Sequence, residues 1–320
     1  MIPRNAYDEA IRRFDLPSHW RPDAWRSSIV VASGLTAMAA EAVLRSARPA
    51  QVTVHRDPEA CFSDAQTPPT RPVLGCTYSG RATEVCDAIS QLLAVQHPVA
   101  LLAGSKFAGA MGSRRAATND GKANDLIAGM YASPIIRLPD VHGPPFFRHL
   151  VVCAVLPRVL GCVLSLPAHW DSLQDTMEFL NETYQHDRTP IFVACGDGFR
   201  ARVLLSYWLE VLHRPGFLLR FPDWTHDFLW ALHRSADARF TFVLEQPRID
   251  LTDDRAAKTI ECLTKRAYPL HVLPSSGADA VASHVSYLLS AADAFYALAV
   301  RKGYDLPGEL QFDEDAKDES

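Results

Sequence analysis

Three groups of residues in this 320-residue chain are of types that carry out chemistry. The first is the turn after the apolar run Val73-Leu74-Gly75-Cys76, which reads Thr77-Tyr78-Ser79-Gly80-Arg81-Ala82-Thr83. A turn of hydroxyls and backbone N–H groups ahead of a helix is an anion site, because unpaired amides and the positive end of the helix dipole converge there. Thr77, Ser79 and Thr83 add donors without bulk, and Arg81 adds a charge that can hold an anion directly. The plainer alternative is a turn at Ser79-Gly80 capped by Thr77 or Ser79. The second group is Glu210. Between Val203 and Leu212 every residue except Ser206 and Glu210 is apolar or aromatic. A helix apolar nearly all round is a buried one. A carboxylate there is expected to be desolvated, with its pKa raised toward that of a general base. An ion pair with Arg214 at i,i+4 is the alternative. The third is His226 in Phe-Pro-Asp-Trp-Thr-His-Asp-Phe, 221–228, an acid/base candidate among aromatic residues that Asp227 could orient. His213 and His233 are weaker candidates. His213 ends a helix pattern, where a cation suits the dipole.

Positioning such groups needs a scaffold, and the pattern of apolar runs supplies one. Strands are predicted at 28–33, 51–55, 72–76, 98–103 and 134–138. Helices are predicted at 7–14, 36–46 and 81–95. The segment 105–124 is polar and glycine-rich and reads as loop. An apolar helix follows over 146–164, broken or kinked at Pro157, then a more polar one over 169–185. The first pattern then recurs. A strand at 190–194 leads through Cys195-Gly196-Asp197-Gly198 into a helix over Phe199–Leu212. Strands at 240–244 and 270–273, a helix at 253–266 and a closing helix at 278–302 complete it. Continuously apolar strands alternating with helices predict parallel βαβ units buried on both faces. The fold class is therefore α/β, two doubly wound, flavodoxin-like three-layer domains. Their division is expected within 155–188 and set at 1–155 and 156–320. Ligands of such sheets bind beyond the carboxyl ends of the strands. Thr36, the 77–83 turn and the 196–198 turn all lie there.

Composition narrows the function classes. The chain is 48% hydrophobic and 22% charged, with a net charge of −5 and no basic block. These values predict a globular protein without nucleic acid as partner. No apolar run reaches membrane-spanning length, and the longest, 150–166, contains Pro157 and Arg158. The polar start of the chain lacks the apolar core of a signal peptide, which favours the cytoplasm. The seven cysteines form no C-x-x-C pair and are expected as buried hydrophobes, not zinc ligands or a disulfide framework. The acidic tail, 312–320, is expected to fray.

The Thr-Tyr-Ser-Gly-Arg-Ala-Thr-Glu turn after an apolar strand resembles the sugar isomerase (SIS) domain, whose loops cradle a sugar phosphate. Two such domains in a chain of this length resemble the bifunctional phosphoglucose/phosphomannose isomerases. Arg12-Arg13-Phe14-Asp15-Leu16-Pro17 resembles that family's N-terminal segment. The 221–228 loop resembles its Pro-Glu-x-His-His-Asn-aromatic loop. Glu210 and His226 stand sixteen positions apart, as the family's catalytic glutamate and histidine do. The ending Gly303-Tyr304-Asp305-Leu306-Pro307-Gly308-Glu309-Leu310 resembles the family's C-terminus, where a lysine lines the site. Lys317 is its counterpart.

The resemblance implies aldose–ketose isomerisation of a hexose 6-phosphate of the glucose, mannose or fructose type, or of a related modified sugar. Glu210 would move a proton between C1 and C2 through a cis-enediolate, and His226 would assist ring opening. Gly34, Thr36, Thr77, Tyr78, Ser79, Gly80, Arg81, Thr83, Arg148 and Lys317 would bind the substrate and its phosphate. Proton transfer within one molecule requires neither metal nor cofactor, and the family implies a homodimer. The sequence departs from the family at several points. Ala82 replaces a phosphate-binding threonine, and Arg81 replaces asparagine. Leu35 and Ala37 occupy a loop that is Gly-Gly-Ser-Gly in the family, where they are expected to obstruct close backbone approach. Pro144-Pro145 stands where the family stabilises its enediolate with arginine, leaving Arg137 and Arg148 as stand-ins. Thr225 replaces the first of two histidines. Other outcomes are a non-catalytic sugar-phosphate-binding SIS protein, an aminosugar-phosphate isomerase or deaminase, or an unrelated α/β protein.

Overall fold

The computed structural model describes residues 2–47, 51–67, 70–78, 82–104, 135–141, 147–164, 173–194, 198–220, 239–245, 254–273 and 283–304. The described chain divides into two compact units, one running to residue 164 and one from 173 to 304. Among the described residues no helix is long and apolar enough to cross a membrane.

In the first unit, β1 (Ile29–Ala32) is buried at every position, as a strand covered on both faces must be. It pairs in parallel with β2 (Thr53–His55) on one side and β3 (Val73–Thr77) on the other. Beyond β3 come β4 (Val99–Gly104) and β5 (Ile135–Leu138), also parallel. The order β2-β1-β3-β4-β5 is the flavodoxin-like one, and it reverses direction between β1 and β3. One face, carrying Ile29, Val31, Val73, Leu101 and Ala103, is covered by α3 (Pro58–Gln66) and α4 (Thr83–Ala94). Side chains alternate along a strand, so Val30 and Ala32 face the other layer. That layer holds α2 (Gly34–Ala47), α5 (Arg148–Val159) and α1 (Ile2–Arg13), with α2 and α1 both packed on α5. The 12–20 segment is tied to the far end of α5. Arg158 donates to the carbonyls of Ile11 and Phe14, and the Trp20 indole donates to the Val159 carbonyl at 3.0 Å. Helix α5 is shorter than the predicted 146–164 and continues through Pro157 to Val159, so proline does not break it there.

The second unit repeats the plan. Strands β6 (Thr189–Ala194), β7 (Phe217–Arg220), β8 (Phe240–Glu245) and β9 (Leu270–Leu273) are parallel in the order β7-β6-β8-β9. The reversal falls between β6 and β8. Helix α8 (Asp254–Lys265) contributes Leu263 to the core on one face of this sheet. Helix α9 (Ser283–Arg301) packs on α7 (Phe199–Leu212) and α6 (Gln174–Gln185), with Tyr207 stacked on Phe295. The tie after α9 is polar: the Tyr304 hydroxyl donates to the Leu212 carbonyl at 2.8 Å.

Strand β7 and helix α3 are absent from the sequence-based expectation. β7 is a four-residue edge strand with both ends exposed, too short to show a period. α3 carried a readable signal in Asp57-Pro58-Glu59. Pro58 opens the helix, and the Asp57 carboxylate accepts from the Glu59 amide at 3.0 Å.

Candidate functional site

The reversal point of the first sheet assembles part of the predicted anion site. Ala32 and Cys76 are register partners on adjacent parallel strands, so the turns after β1 and β3 leave the sheet side by side. Gly34 opens α2 with a positive φ of 52°, a conformation that favours glycine, and is exposed. Thr36 is half-buried in the next positions of α2. Leu35 and Ala37 do not obstruct this turn: both are buried, at 5% and 0% exposure, and point into the core. Thr77 ends β3 and is buried at 3% exposure. Ala82 precedes α4 and supplies no side-chain cap to its first turn. Ser79, Gly80, Arg81 and the Thr83 side chain lie outside the described residues.

Tyr78, the first residue after β3, is fixed from three strands. Its carbonyl accepts from the Gly104 amide at the end of β4, at 3.1 Å. A Cβ on Gly104 would run into that carbonyl and to within about 3 Å of the Tyr78 ring, so glycine is required there. The Tyr78 hydroxyl lies 3.2 Å from Asp140 Oδ1 and 3.3 Å from the Pro139 carbonyl, just past β5. Burial pushes the phenol up to about 12, and the charge and hydrogen bond of Asp140 add to that against a lowering by Arg148. The hydroxyl therefore remains a donor at any ordinary pH. Arg148, the first residue of α5, places its guanidinium carbon 5.2 Å from the centre of the Tyr78 ring. Arg148 is exposed, as is Arg137 on β5.

The reversal point of the second sheet is built differently. Gly198 has φ 61° and leads into α7, and a Cβ there would clash with the Ala194 Cβ at the end of β6. Residues 195–197 of this turn lie outside the described residues. Glu245 ends the neighbouring strand β8, and its Oε2 lies 3.4 Å from the Ala201 amide in the first turn of α7. A carboxylate of the chain thus stands where a helix N-terminus attracts an anion. Also at the start of α7, Phe199 meets the His284 ring edge to face at 4.8 Å, and Arg200 lies over the Tyr287 ring at 5.0 Å. Sequence reasoning missed Glu245. The available signal was a single charge closing the apolar run Phe240-Thr241-Phe242-Val243-Leu244.

Glu210 is not buried. Among the described residues it is exposed in the last turn of α7, beside Leu209, which is 42% exposed. The face of α7 that packs on α9 carries Tyr207 and Val211, and Glu210 projects away from the core. The expected desolvation does not arise from this unit. Nor does helical geometry link Glu210 to Arg214, because α7 ends at Leu212 and His213 turns the chain with φ 49°. Arg214 instead pairs with Asp187 at 2.9 Å and covers the Tyr184 ring, with Lys302 also against that ring. The hydroxyl contact with Tyr304 and then the Arg214 guanidinium lower the Tyr184 phenol. His226 and Lys317 lie outside the described residues, as do Asp227, Thr225 and the 312–320 tail.

Among the described residues Cys61, Cys76, Cys86 and Cys153 are buried as expected, while Cys162 and Cys262 are only half-buried. Burial raises the Cys76 thiol to about 12, which marks it as packing and not as a nucleophile. Among the described residues no group of three or more His, Cys, Asp or Glu side chains is arranged to hold a metal ion.

No family model matches the sequence, and no curated protein matches it. Solved structures do match. A protein from Clostridium difficile 630 provisionally named a phosphosugar isomerase superposes with a TM-score of 0.61 at 13% identity, over 99% of this chain and 93% of its own. The C-terminal domain of glucosamine-fructose-6-phosphate aminotransferase from Francisella tularensis gives 0.53 at 11% identity, covering 95% of this chain and 94% of the other. Glucosamine-6-phosphate deaminase from Thermotoga maritima gives 0.51 at 9% identity, covering 97% and 95%. The chain shares the α/β fold of these proteins, with two flavodoxin-like parallel sheets. At these identities the likeness speaks for the fold, and the site must be argued from this chain's own residues.

Proposed function

We propose that the protein binds a sugar phosphate at the first sheet's reversal point and acts as an aldose–ketose isomerase on a hexose 6-phosphate or a modified relative. The observation that carries the reading is the set of donors at that point. Gly34 is exposed, Thr36 is half-buried in the first turn of α2, Thr77 ends the neighbouring strand β3, and Arg148 supplies a cation beside Tyr78. Backbone amides, hydroxyls and a guanidinium are the donors a phosphate monoester requires. Ser79, Gly80, Arg81 and Thr83 complete the phosphate set in this proposal, with Lys317 added by resemblance. Glu210 is the base that shuttles the proton between C1 and C2, and His226 opens the ring. Their support is their sixteen-residue spacing and the resemblance of the 221–228 loop. Arg148 is also the better of the two arginine stand-ins, because it starts a helix and rests on an aromatic platform while Arg137 lies within β5. A homodimer is the assembly this proposal carries, and the cytoplasm the compartment.

Exposure of Glu210 favours a second reading, a sugar-phosphate-binding protein without catalysis. An aminosugar-phosphate isomerase or deaminase is a third, in keeping with the name of the Thermotoga maritima deaminase. One experiment separates them. The protein is incubated with fructose, glucose and mannose 6-phosphates in deuterium oxide, and C2 is followed by NMR. Deuterium at C2 is expected. Binding without exchange sinks the isomerase in favour of the binding protein. Ammonia released from glucosamine 6-phosphate promotes the aminosugar enzyme.

A further inference from the structure

Asp140 has no part in the isomerase reading, yet it is connected to it through two contacts. Its carboxylate and the Pro139 carbonyl are the two acceptors facing the single proton of the Tyr78 hydroxyl. At nearly equal distances the ionised acceptor makes the stronger bond. Tyr78 is otherwise held by its own carbonyl, on the Gly104 amide, and by the close fit of its ring against Gly104. The hydroxyl bond fixes the outer end of the ring, and the ring carries the Arg148 guanidinium. A flexible arginine at an exposed helix start gains a defined position from such a platform. Asp140 is itself anchored, since Arg13 donates to its backbone carbonyl at 3.1 Å.

We propose that Asp140 is a positioning residue for substrate binding: through the Tyr78 hydroxyl it holds the phenol ring on which Arg148 rests, and so sets where that cation meets the substrate's anionic group. The inference rests on the first reversal point being the phosphosugar site. It makes a prediction of unusual sign. Asp140 is an exposed carboxylate close to a site for anions, so simple electrostatics has Asp140→Asn tighten binding. A positioning role has it weaken binding.

The test is calorimetric titration of the full-length protein with fructose 6-phosphate. The variants are Arg148→Ala, Tyr78→Phe, Asp140→Asn and the doubles Tyr78→Phe/Arg148→Ala and Asp140→Asn/Arg148→Ala. Arg148→Ala is expected to weaken binding about tenfold or more, the loss of one charge-assisted contact. Tyr78→Phe and Asp140→Asn are each expected to weaken it about threefold, the scale of an exposed cation–π contact, and to have no further effect once Arg148 is gone. Tighter or unchanged binding by Asp140→Asn, while Arg148→Ala binds weakly, overturns the inference. So does a loss of the same size with Arg148 absent, because Asp140 would then act by another route. Tyr78→Phe keeps the ring and changes only the hydroxyl, so it tests the same link should Asp140→Asn fail to fold. Arg148→Ala binding like the wild type, or a wild type that does not bind, overturns the site reading itself, an outcome distinct from failure of the Asp140 link.

Discussion

Two sheets with the same strand order around their reversal points differ in what meets the helix N-terminus there. In both, the strand order reverses after the first strand of the unit, and in both a glycine of positive φ leads into the next helix, Gly34 in one and Gly198 in the other. At the first reversal point the described groups are hydroxyls, an exposed glycine, the Arg148 guanidinium and, behind the Tyr78 hydroxyl, the Asp140 carboxylate. At the second, the Glu245 carboxylate lies 3.4 Å from the Ala201 amide of α7, and Arg200 of the same turn is held over the Tyr287 ring. A helix N-terminus that receives an internal carboxylate gains little from an external phosphate, and bringing one there sets two anions side by side. The fold thus offers two equivalent places, and the side chains at the strand ends decide which can take a ligand.

That asymmetry can be broken experimentally, and the largest effect concerns Glu210 and Glu245, both in the second unit. If Glu210 is the base, Glu210→Gln lowers the rate of deuterium exchange at C2 by about 10²–10⁴-fold, the span of general-base contributions. Glu245→Gln leaves that rate within a factor of about two, as expected of a surface-scale change away from the chemistry. A fully active Glu210→Gln removes it as base. If Glu245→Gln abolishes exchange instead, the chemistry belongs to the second reversal point.

Glycine substitutions come next. Gly104→Ala drives a methyl into the Tyr78 carbonyl and is expected to cost about 1–3 kcal/mol in denaturant unfolding, the scale of overpacking. It should also weaken fructose 6-phosphate binding, because it displaces the platform beneath Arg148. Gly198→Ala meets the Ala194 Cβ at a positive φ and is expected to cost at least about 1–2 kcal/mol, with binding unchanged. Equal effects of the two on binding would dissolve the distinction between the two ends.

A smaller effect tests the role given to Glu245. Glu245→Gln keeps the shape and removes the charge, and is expected to cost about 0.3–1 kcal/mol of stability at low salt. The difference should shrink as ionic strength rises, since charge–dipole interactions are screened. A difference independent of salt would mean that Glu245 holds α7 by packing alone.

The smallest effect is a difference in acid response. His271 on β9 lies between Thr176, 2.9 Å away, and the Phe179 ring, and burial lowers its pKa. Its folded pKa is below its unfolded one, so the unfolded chain binds the extra proton first. Stability therefore rises with pH across that window and is lost as pH falls through about 6.5. Replacing His271 with Gln should flatten the acid limb of a pH–stability curve. An unchanged limb would assign the acid response to other groups.

Much of this organisation is legible in the chain. Strands such as Ile29–Ala32 and Val99–Gly104 announce themselves as continuous apolar runs because both faces are covered. Helix Phe199–Leu212 coincides with its sequence expectation, since Gly198 marks its start and the apolar run ends at Leu212. Pattern failed where the signal was local or short, at α3 with its Asp-Pro-Glu start and at edge strand β7. At the site the division is sharper. The burial of Glu210 was misjudged because apolar residues on a helix indicate average environment, and which face meets the core depends on where α9 lies.

By itself the sequence determined the class of fold, parallel strands alternating with helices in two successive halves. Hydrophobic periodicity encodes which backbone conformation can bury each segment, and that information is local. Only the tertiary structure decided which groups share a strand end. Tyr78, Asp140 and Arg148 are scattered over about seventy positions of sequence, and Ala201 and Glu245 over more than forty. They meet because β3 lies two strands from β5 and β6 lies beside β8, a consequence of sheet order. Electrostatics acts through those few ångströms of space and not along the chain, so which charged groups meet at each strand end appeared only once the sheets were assembled.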